Sequence, residues 1–418
     1  MPTRKILRSW LIAIIIGILL IVSSCTPAGR EENLELTKVF ESALLTATYA
    51  ITQNINTDSV DNILLTETPT VIHTPVPASP TSERTPPVLP QAFHSDYINS
   101  NDKPFSYIDD TCKYIKSKWD PNNSSPGTVV MPIMFHSITD GEVTKANQIS
   151  HDTVVQLLRD LKDQGFESIT IEQLYNFLLY NAKIPPRSVV LIVDDRHFAE
   201  YYETHFLPQL SEYNWTVTNA WISIPGSSSD LIEGNVRLDN EGWVDHQAHG
   251  VFHNIPISNW ELGTYIYTDL YGNISAEEYI HKELFGASEF IETTFGHKPI
   301  AYIWPGGGFS TLAVQMASDA GYTLGFTVNP RGPLMFNWIP LSDNNDPARP
   351  SYIPEGNVGN PLMVLPRYWD SDAQTHIDEV RVIGKEAAEY ASNNKQVELE
   401  YYDIMCRNIT GLIPTLAE

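Results

Sequence analysis

The chain has 418 residues and a mass of 47.0 kDa, with 26 Lys plus Arg against 51 Asp plus Glu and a net charge of −25. A hydrophobic share of 42% and an aromatic share of 11% suffice for a sizeable core and exclude a wholly disordered chain. Such acidity makes the chain a poor candidate for nucleic-acid binding, which needs clustered positive charge, and no nucleic-acid partner is expected. Three cysteines exclude a disulfide scaffold and an all-cysteine zinc fold.

The first 25 residues depart from the acidic average. Arg4, Lys5 and Arg8 precede the apolar run at 9–22, and Ser23-Ser24-Cys25 follows. This pattern reads as an export signal over 1–24. The run is short for a spanning helix of roughly 20 residues. Its end resembles a bacterial lipobox, which implies lipidation of Cys25, membrane attachment through the lipid and an extracytoplasmic location. An uncleaved membrane anchor is the other reading.

Residues 25–65 are expected to contain a short helix, because Leu34, Leu36, Val39, Phe40, Leu44 and Leu45 recur at helical spacing. Residues 66–95 are rich in Pro, Thr and Ser and read as a linker, and 96–128 as a lead-in. From 129 to 370 apolar runs alternate with amphipathic stretches. Strands are expected at 129–138, 188–195, 216–224, 243–250, 300–307, 322–329 and 361–369, and helices at 152–165, 206–214 and 276–295. Continuous apolar strands alternating with helices predict an α/β fold with parallel strands covered by helices. Residues 371–418 form a C-terminal extension. No internal repeat and no Gly-rich phosphate loop is evident.

Three groups of residues sit at predicted strand ends, where chemistry collects in α/β folds. Asp194-Asp195 closes the second strand. The two side chains point apart, so one can bind a metal while the other takes a proton. A helix N-cap or turn is the structural alternative. His246, His249 and His253 follow a later strand. His249 and His253 are four apart and would face the same way on a helical turn; His246 and His249 are the other pairing. Two imidazoles and a carboxylate make a divalent-metal site with open positions. Trp304-Pro305-Gly306-Gly307-Gly308 is a glycine turn whose N–H groups can approach an oxyanion.

The blocks MPIMFHSI, LIVDD, VDHQAHGVFH, GHKPIAYIWPGG, GYTLGFTVN and VLPRYW, in this order, resemble the polysaccharide deacetylase family (the NodB-homology domain) over roughly 129–369. The resemblance implies a distorted (β/α) barrel and metal-dependent removal of acetyl groups from N-acetylglucosamine-containing or other acetylated polysaccharides, peptidoglycan among them. It implies Asp194 as base, Asp195, His249 and His253 as metal ligands, the Gly306 N–H as oxyanion donor and Arg367 as support for the base. Zinc suits the donor set, with cobalt, nickel or manganese as alternatives. No obligate protein partner is implied.

Several positions depart from the family pattern. Ile192-Val193 stands for Thr-Phe, Arg196 for Gly, Gly250 for Ser or Thr, and Gly306 for an aromatic residue. No Leu-x-His block occurs near the end of the domain. His376 lies in a polar stretch, and His136, at the end of the first strand, is an acid candidate by position. Three rivals follow: a degenerate glycan-binding domain, an O-acetyl carbohydrate esterase, and a glycosidase that would leave the histidines without a role. Lipidation of Cys25 would leave Cys112 and Cys406, for which free thiols are the favoured expectation and a bridge the alternative.

Overall fold

Among the described residues, a short strand, Asp102–Phe105, and helix α1, Thr111–Trp119, lead into the first barrel strand. The computed structural model describes residues 84–253, 260–347 and 352–414. The export signal, Cys25, the helix expected within 25–65 and the linker up to residue 83 lie outside the described residues.

The central sheet has eight strands: β1 (Val129–Phe135), β2 (Glu167–Ser168), β3 (Arg187–Val193), β4 (Val217–Trp221), β5 (Val244–Ala248), β6 (Ala301–Ile303), β7 (Leu324–Phe326) and β8 (Tyr368–Trp369). Their order is β7-β6-β5-β4-β3-β1-β8, with β2 added to β3, and every pairing is parallel. The β7 edge then bonds to the chain entering β8: Leu365 N–H donates to Gly325 and Thr327 N–H to Leu365, at 2.7 and 2.9 Å. The two edges thus meet through a single bridge, which curls the sheet into a distorted barrel.

Helices connect the strands and cover them: α2 (His151–Asp163), α3 (Ile171–Tyr180), α4 (Ala199–His205), α5 (Leu207–Tyr213), α6 (Ser229–Glu241), α7 (Ala276–Phe295), α8 (Thr311–Asp319) and α9 (Ala373–Tyr401). Their ends follow local chemistry. Ser150 caps α2 by accepting from Thr153 N–H, and Thr170 and Gln173 form a reciprocal capping box on α3. Gly296 ends α7 in left-handed backbone. In α2, Val154, Leu157, Leu158 and Leu161 form the buried stripe.

Strand alternation divides the core. Val129, Met131, Ile133 and Phe135 of β1, with Val189, Leu191 and Val193 of β3, pack with α2 and α9 residues. Val130, Val190 and Ile192 face the opposite way, into the cluster that holds Trp221, Tyr302 and Trp304. Asp194 continues the face of Val190 and Ile192, and so enters the barrel mouth.

Two expectations are corrected. The run at 361–369 is a strand only at Tyr368–Trp369; Pro361–Met363 is a 3₁₀ turn. It is apolar and buried because it plugs the gap between the barrel edges. Second, Cys112 and Cys406 are not free thiols. They form a disulfide between α1 and the chain just past α9, with Cα atoms 5.2 Å apart. Both flanks fold back on the barrel within one compact unit, Ser82–Glu418, so distance in sequence did not mean distance in space.

Candidate active site

The ends of β1, β3, β4, β5, β6 and β7 are laced together by backbone bonds. Asp194 N–H donates to Phe135, His249 N–H to Trp221 and Trp304 N–H to Phe326, at 2.8, 2.9 and 3.0 Å. This lacing sets three loops side by side: the aspartate pair, the histidine loop and the glycine turn.

Asp195, His249 and His253 each offer one ligand atom within 4.8 Å of the others. His253 Nε2 lies 3.7 Å from Asp195 Oδ1, and the two imidazole centroids are 4.7 Å apart. His249 is buried, and its Nδ1 is 2.7 Å from the carbonyl of Ile303. A carbonyl only accepts, so Nδ1 carries the proton and Nε2 keeps its lone pair for a ligand. Burial drives His249 down to about 4, against the pull of the Asp194 charge and with help from His253. The imidazole is therefore neutral near pH 7, as a metal ligand must be.

The backbone is unusual at this site. Among the described residues, five other than glycine have positive φ: three asparagines, Asp195 at 73° and His253 at 52°. Asparagine, aspartate and histidine reach this region more readily than other side chains, and uncommon backbone of this kind clusters at functional sites. The histidine pair accordingly meets through an irregular loop, in place of the helical turn expected from its spacing. Gly250 turns that loop at φ 81°, and a Cβ there would stand 2.6 Å from Glu283 Oε2. Glu283 fills the space of the absent hydroxyl side chain. Its carboxylate accepts from Val251 N–H at 2.8 Å and from Phe252 N–H at 3.2 Å. Glu283 was missed in the sequence, although it falls on the buried stripe Ala276, Ile280, Glu283, Leu284 and Ala287 of α7.

Asp194 is buried and gripped by Arg367, with Nη1–Oδ1 at 2.5 Å and Nη2–Oδ2 at 2.9 Å. Arg367 Nε donates to the Thr327 carbonyl at 2.7 Å, and the guanidinium is fully buried. Burial, the largest single influence, would raise the Asp194 pKa, but the charge and hydrogen bond of Arg367, with the His249 and His136 charges, together outweigh it and hold the carboxyl at about 2. Asp194 is thus ionised and fixed in orientation.

His136 Nε2 lies 3.6 Å from Asp194 Oδ2, and its ring stacks on Trp369 with centroids 5.3 Å apart. Asp370 follows Trp369. Burial pushes its carboxyl up to about 7, opposed by the His136 backbone N–H it accepts and reinforced by the Asp194 charge. Among the described residues, His136 Nδ1 and Asp370 Oδ2 are buried atoms without a hydrogen-bond partner. Trp369 and Asp370 were not singled out in the sequence, although they adjoin Arg367.

Gly306 is exposed at the tip of the glycine turn, with φ 58°. Gly307 and Gly308 use their N–H groups within the turn, on Trp304 and Pro305. His246 faces away from the cluster: its Nδ1 is 2.9 Å from Asp239, its Nε2 3.1 Å from Asn235, and its ring stacks on Phe295. His376 pairs with Glu379 on the first turn of α9.

Residues 181–325 match the family model described as polysaccharide deacetylase. Two curated relatives, the poly-beta-1,6-N-acetyl-D-glucosamine N-deacetylases of Escherichia coli O157:H7 and of Escherichia coli strain K12, are each 21% identical over 238 residues. The alignment covers 49% of this chain and 34% of theirs, so the chain spans about a third of their length. A solved deacetylase from Streptococcus pyogenes in complex with acetate is 18% identical, covering 60% of this chain and 98% of that one, with a TM-score of 0.44. A solved polysaccharide deacetylase from Bacillus cereus is 15% identical over 60% of this chain and 69% of that one, with a TM-score of 0.42. The segment similar to the polysaccharide deacetylase family model contains both aspartates of the site, both clustered histidines and the glycine turn.

Proposed function

We propose that the protein is a metal-dependent carbohydrate deacetylase that removes acetyl groups from N-acetylglucosamine-containing polysaccharide. The observation that carries this reading is the convergence of Asp195, His249 and His253 beside an ionised Asp194 held by Arg367. The donors fit a divalent metal: one carboxylate and two imidazoles, one of which has its lone pair freed by the Ile303 carbonyl. Zinc is the best match to this set. When bound, such a metal acidifies a water and polarises the acetyl carbonyl.

The remaining work falls to side chains and backbone of this chain. Asp194 accepts the proton of the attacking water. It is already ionised at neutral pH and needs no prior deprotonation. Arg367 fixes its direction. The Gly306 N–H stands at the mouth to donate to the oxyanion. His136, whose Nε2 lies 3.6 Å from Asp194 Oδ2 and whose ring stacks on Trp369, donates the proton that the leaving amine needs. Gly306 stands where the family pattern has an aromatic residue.

Acetate release from acetylated chito-oligomers, poly-N-acetylglucosamine and peptidoglycan, with and without chelator and added zinc, tests this reading. Release should stop with chelator and return with zinc. Asp194→Asn should retain zinc and lose turnover, and His249→Ala should lose zinc. Zinc binding without acetate release from any acetylated glycan would favour a glycan-binding role instead. The location proposed is the cell surface, with Cys25 as the lipidated residue; fatty-acid labelling should mark the wild type and not Cys25→Ala.

A further inference from the structure

A second group of ligand-bearing side chains lies apart from the Asp195 set. Asp140 follows the short strand Ser137–Thr139, His151 opens α2, and His205 closes α4. Their ligand atoms fall within 4.8 Å of one another. The two Nδ1 atoms are 3.1 Å apart, and His205 Nδ1 is 4.0 Å from Asp140 Oδ1. His205 is buried, while the Asp140 side chain is exposed.

The distances have a specific meaning. Ligand atoms about 2.0–2.1 Å from one zinc ion stand roughly 3.0–3.5 Å from each other. The imidazole pair already meets that spacing. The Asp140 contact is about half an ångström too wide, is too long for a hydrogen bond, and belongs to the exposed member that can close. A third group, Asp239, Asp245 and His297, differs in kind. There His246 and His297 lie at 2.9 and 3.3 Å from Asp239 Oδ1, and Gln247 donates to Asp245, so the polar atoms satisfy one another.

We propose that Asp140, His151 and His205 hold a second divalent metal ion of the zinc type, distinct from the one at the candidate active site. Its role is to clasp the segment that follows His136. Ser137–Thr139 pairs with Gln148–Ser150, directly before His151, so a metal here ties both ends of the intervening loop to the end of α4. The His205 ring also packs on Tyr201, whose hydroxyl donates to the His136 carbonyl at 3.1 Å. A metal at this clasp therefore braces the acid candidate from behind. The three protein ligands leave a fourth position for water.

Zinc stoichiometry of the full chain tests the proposal independently of the deacetylase reading. His249→Ala/His253→Ala, dialysed against zinc and then metal-free buffer, should retain about one equivalent. Adding Asp140→Ala and His205→Gln should remove it. Asp140→Asn alone, at an exposed position that leaves folding intact, should weaken zinc binding at least tenfold by chelator competition. Anomalous diffraction at the zinc edge should place a peak between the three side chains. If the wild type holds one equivalent and His249→Ala/His253→Ala none, the pair of imidazoles merely shares a proton and the proposal fails, while the active-site metal stands. If zinc is lost only with Asp140 and His205, the second site stands and the first fails.

Discussion

Arg367 and Asp194 form a fully buried ion pair at the heart of the barrel mouth, and their energetics separate catalysis from stability. The folded pKa of Asp194, about 2, lies below its ordinary value of 3.8. A carboxyl depressed on folding stabilises the native state above the ordinary value, and that contribution is lost as pH falls through the folded one. The window for this pair is therefore about pH 4 down to pH 2. Removing the guanidinium should reverse the sign, because burial, the largest influence on Asp194, then loses its main counterweight and raises the pKa. Arg367→Ala should cost about 3 kcal/mol at pH 7, as expected for breaking a buried pair. The cost should shrink toward pH 4, where Asp194 is protonated and no charge is left stranded. Urea denaturation at the two pH values measures this; equal loss at both would mean that Arg367 acts only by packing. Acetate release should vanish at either pH, since the base would be both misdirected and protonated over part of the range.

At the scale of elements, the site depends on a loop hung from a helix. The chain from His249 to His253 is irregular, and Glu283 of α7 holds it by two backbone N–H groups. Glu283→Ala would leave the buried Val251 N–H and the half-buried Phe252 N–H without this partner, at about 1–3 kcal/mol for the buried donor. The imidazoles would lose their fixed approach, and supporting residues of this kind set metal affinity within about 10–100-fold. Glu283→Ala should therefore weaken zinc binding by about that factor in chelator competition. Glu283→Gln, which keeps a carbonyl acceptor, should recover most of it; equal weakening by both would show that charge, and not loop support, is what Glu283 supplies. This helix also shows what could be read in the sequence. The strands β1 and β3 were legible because their runs are apolar and rich in β-branched residues, and Asp194-Asp195 and the glycine turn were legible because each ends an apolar run. Glu283 was not, because a glutamate in a helix reads as solvent-facing until its place on the apolar stripe is counted. The histidine spacing suggested a helical turn because Gly250 gave no sign that its backbone would turn left-handed. Residues 361–369 read as a strand because the run is apolar and buried, which a plugging turn shares with a strand. Arg367 and His136, by contrast, stood at the ends of the runs that became β8 and β1, and the fold brings both to Asp194.

The whole described unit is closed at its flanks by contacts far apart in sequence. Cys112 of α1 bonds to Cys406, 294 residues later, and Ile115, Tyr402 and Cys406 share a small apolar cluster. Beside it Lys118 and Trp119 reach Glu398 of α9 at 2.8 and 2.7 Å. Spacing could not reveal this pairing, because only the return of α9 along the barrel brings the two cysteines together. Gly384 of α9 packs so closely on Gly127, just before β1, that a Cβ would stand 2.8 Å from the Gly127 carbonyl. The clasp therefore lies where the strands begin, at the opposite end from the site. Disulfides persist in oxidising compartments, which agrees with the export proposed from the first 25 residues. Closing so long a loop restricts the unfolded chain, and its loss should cost about 3 kcal/mol. Cys406→Ser should lower the melting temperature by several degrees, and reductant should do the same to the wild type but not to the variant. Acetate release at 25 °C should be unchanged in both, because the strand ends that carry Asp194, His249 and Gly306 are held by their own backbone bonds. A variant that melts like the wild type would mean that the polar contacts of Glu398 alone fasten the flanks. One that loses activity before it melts would mean that the clasp and the barrel mouth are coupled through α9.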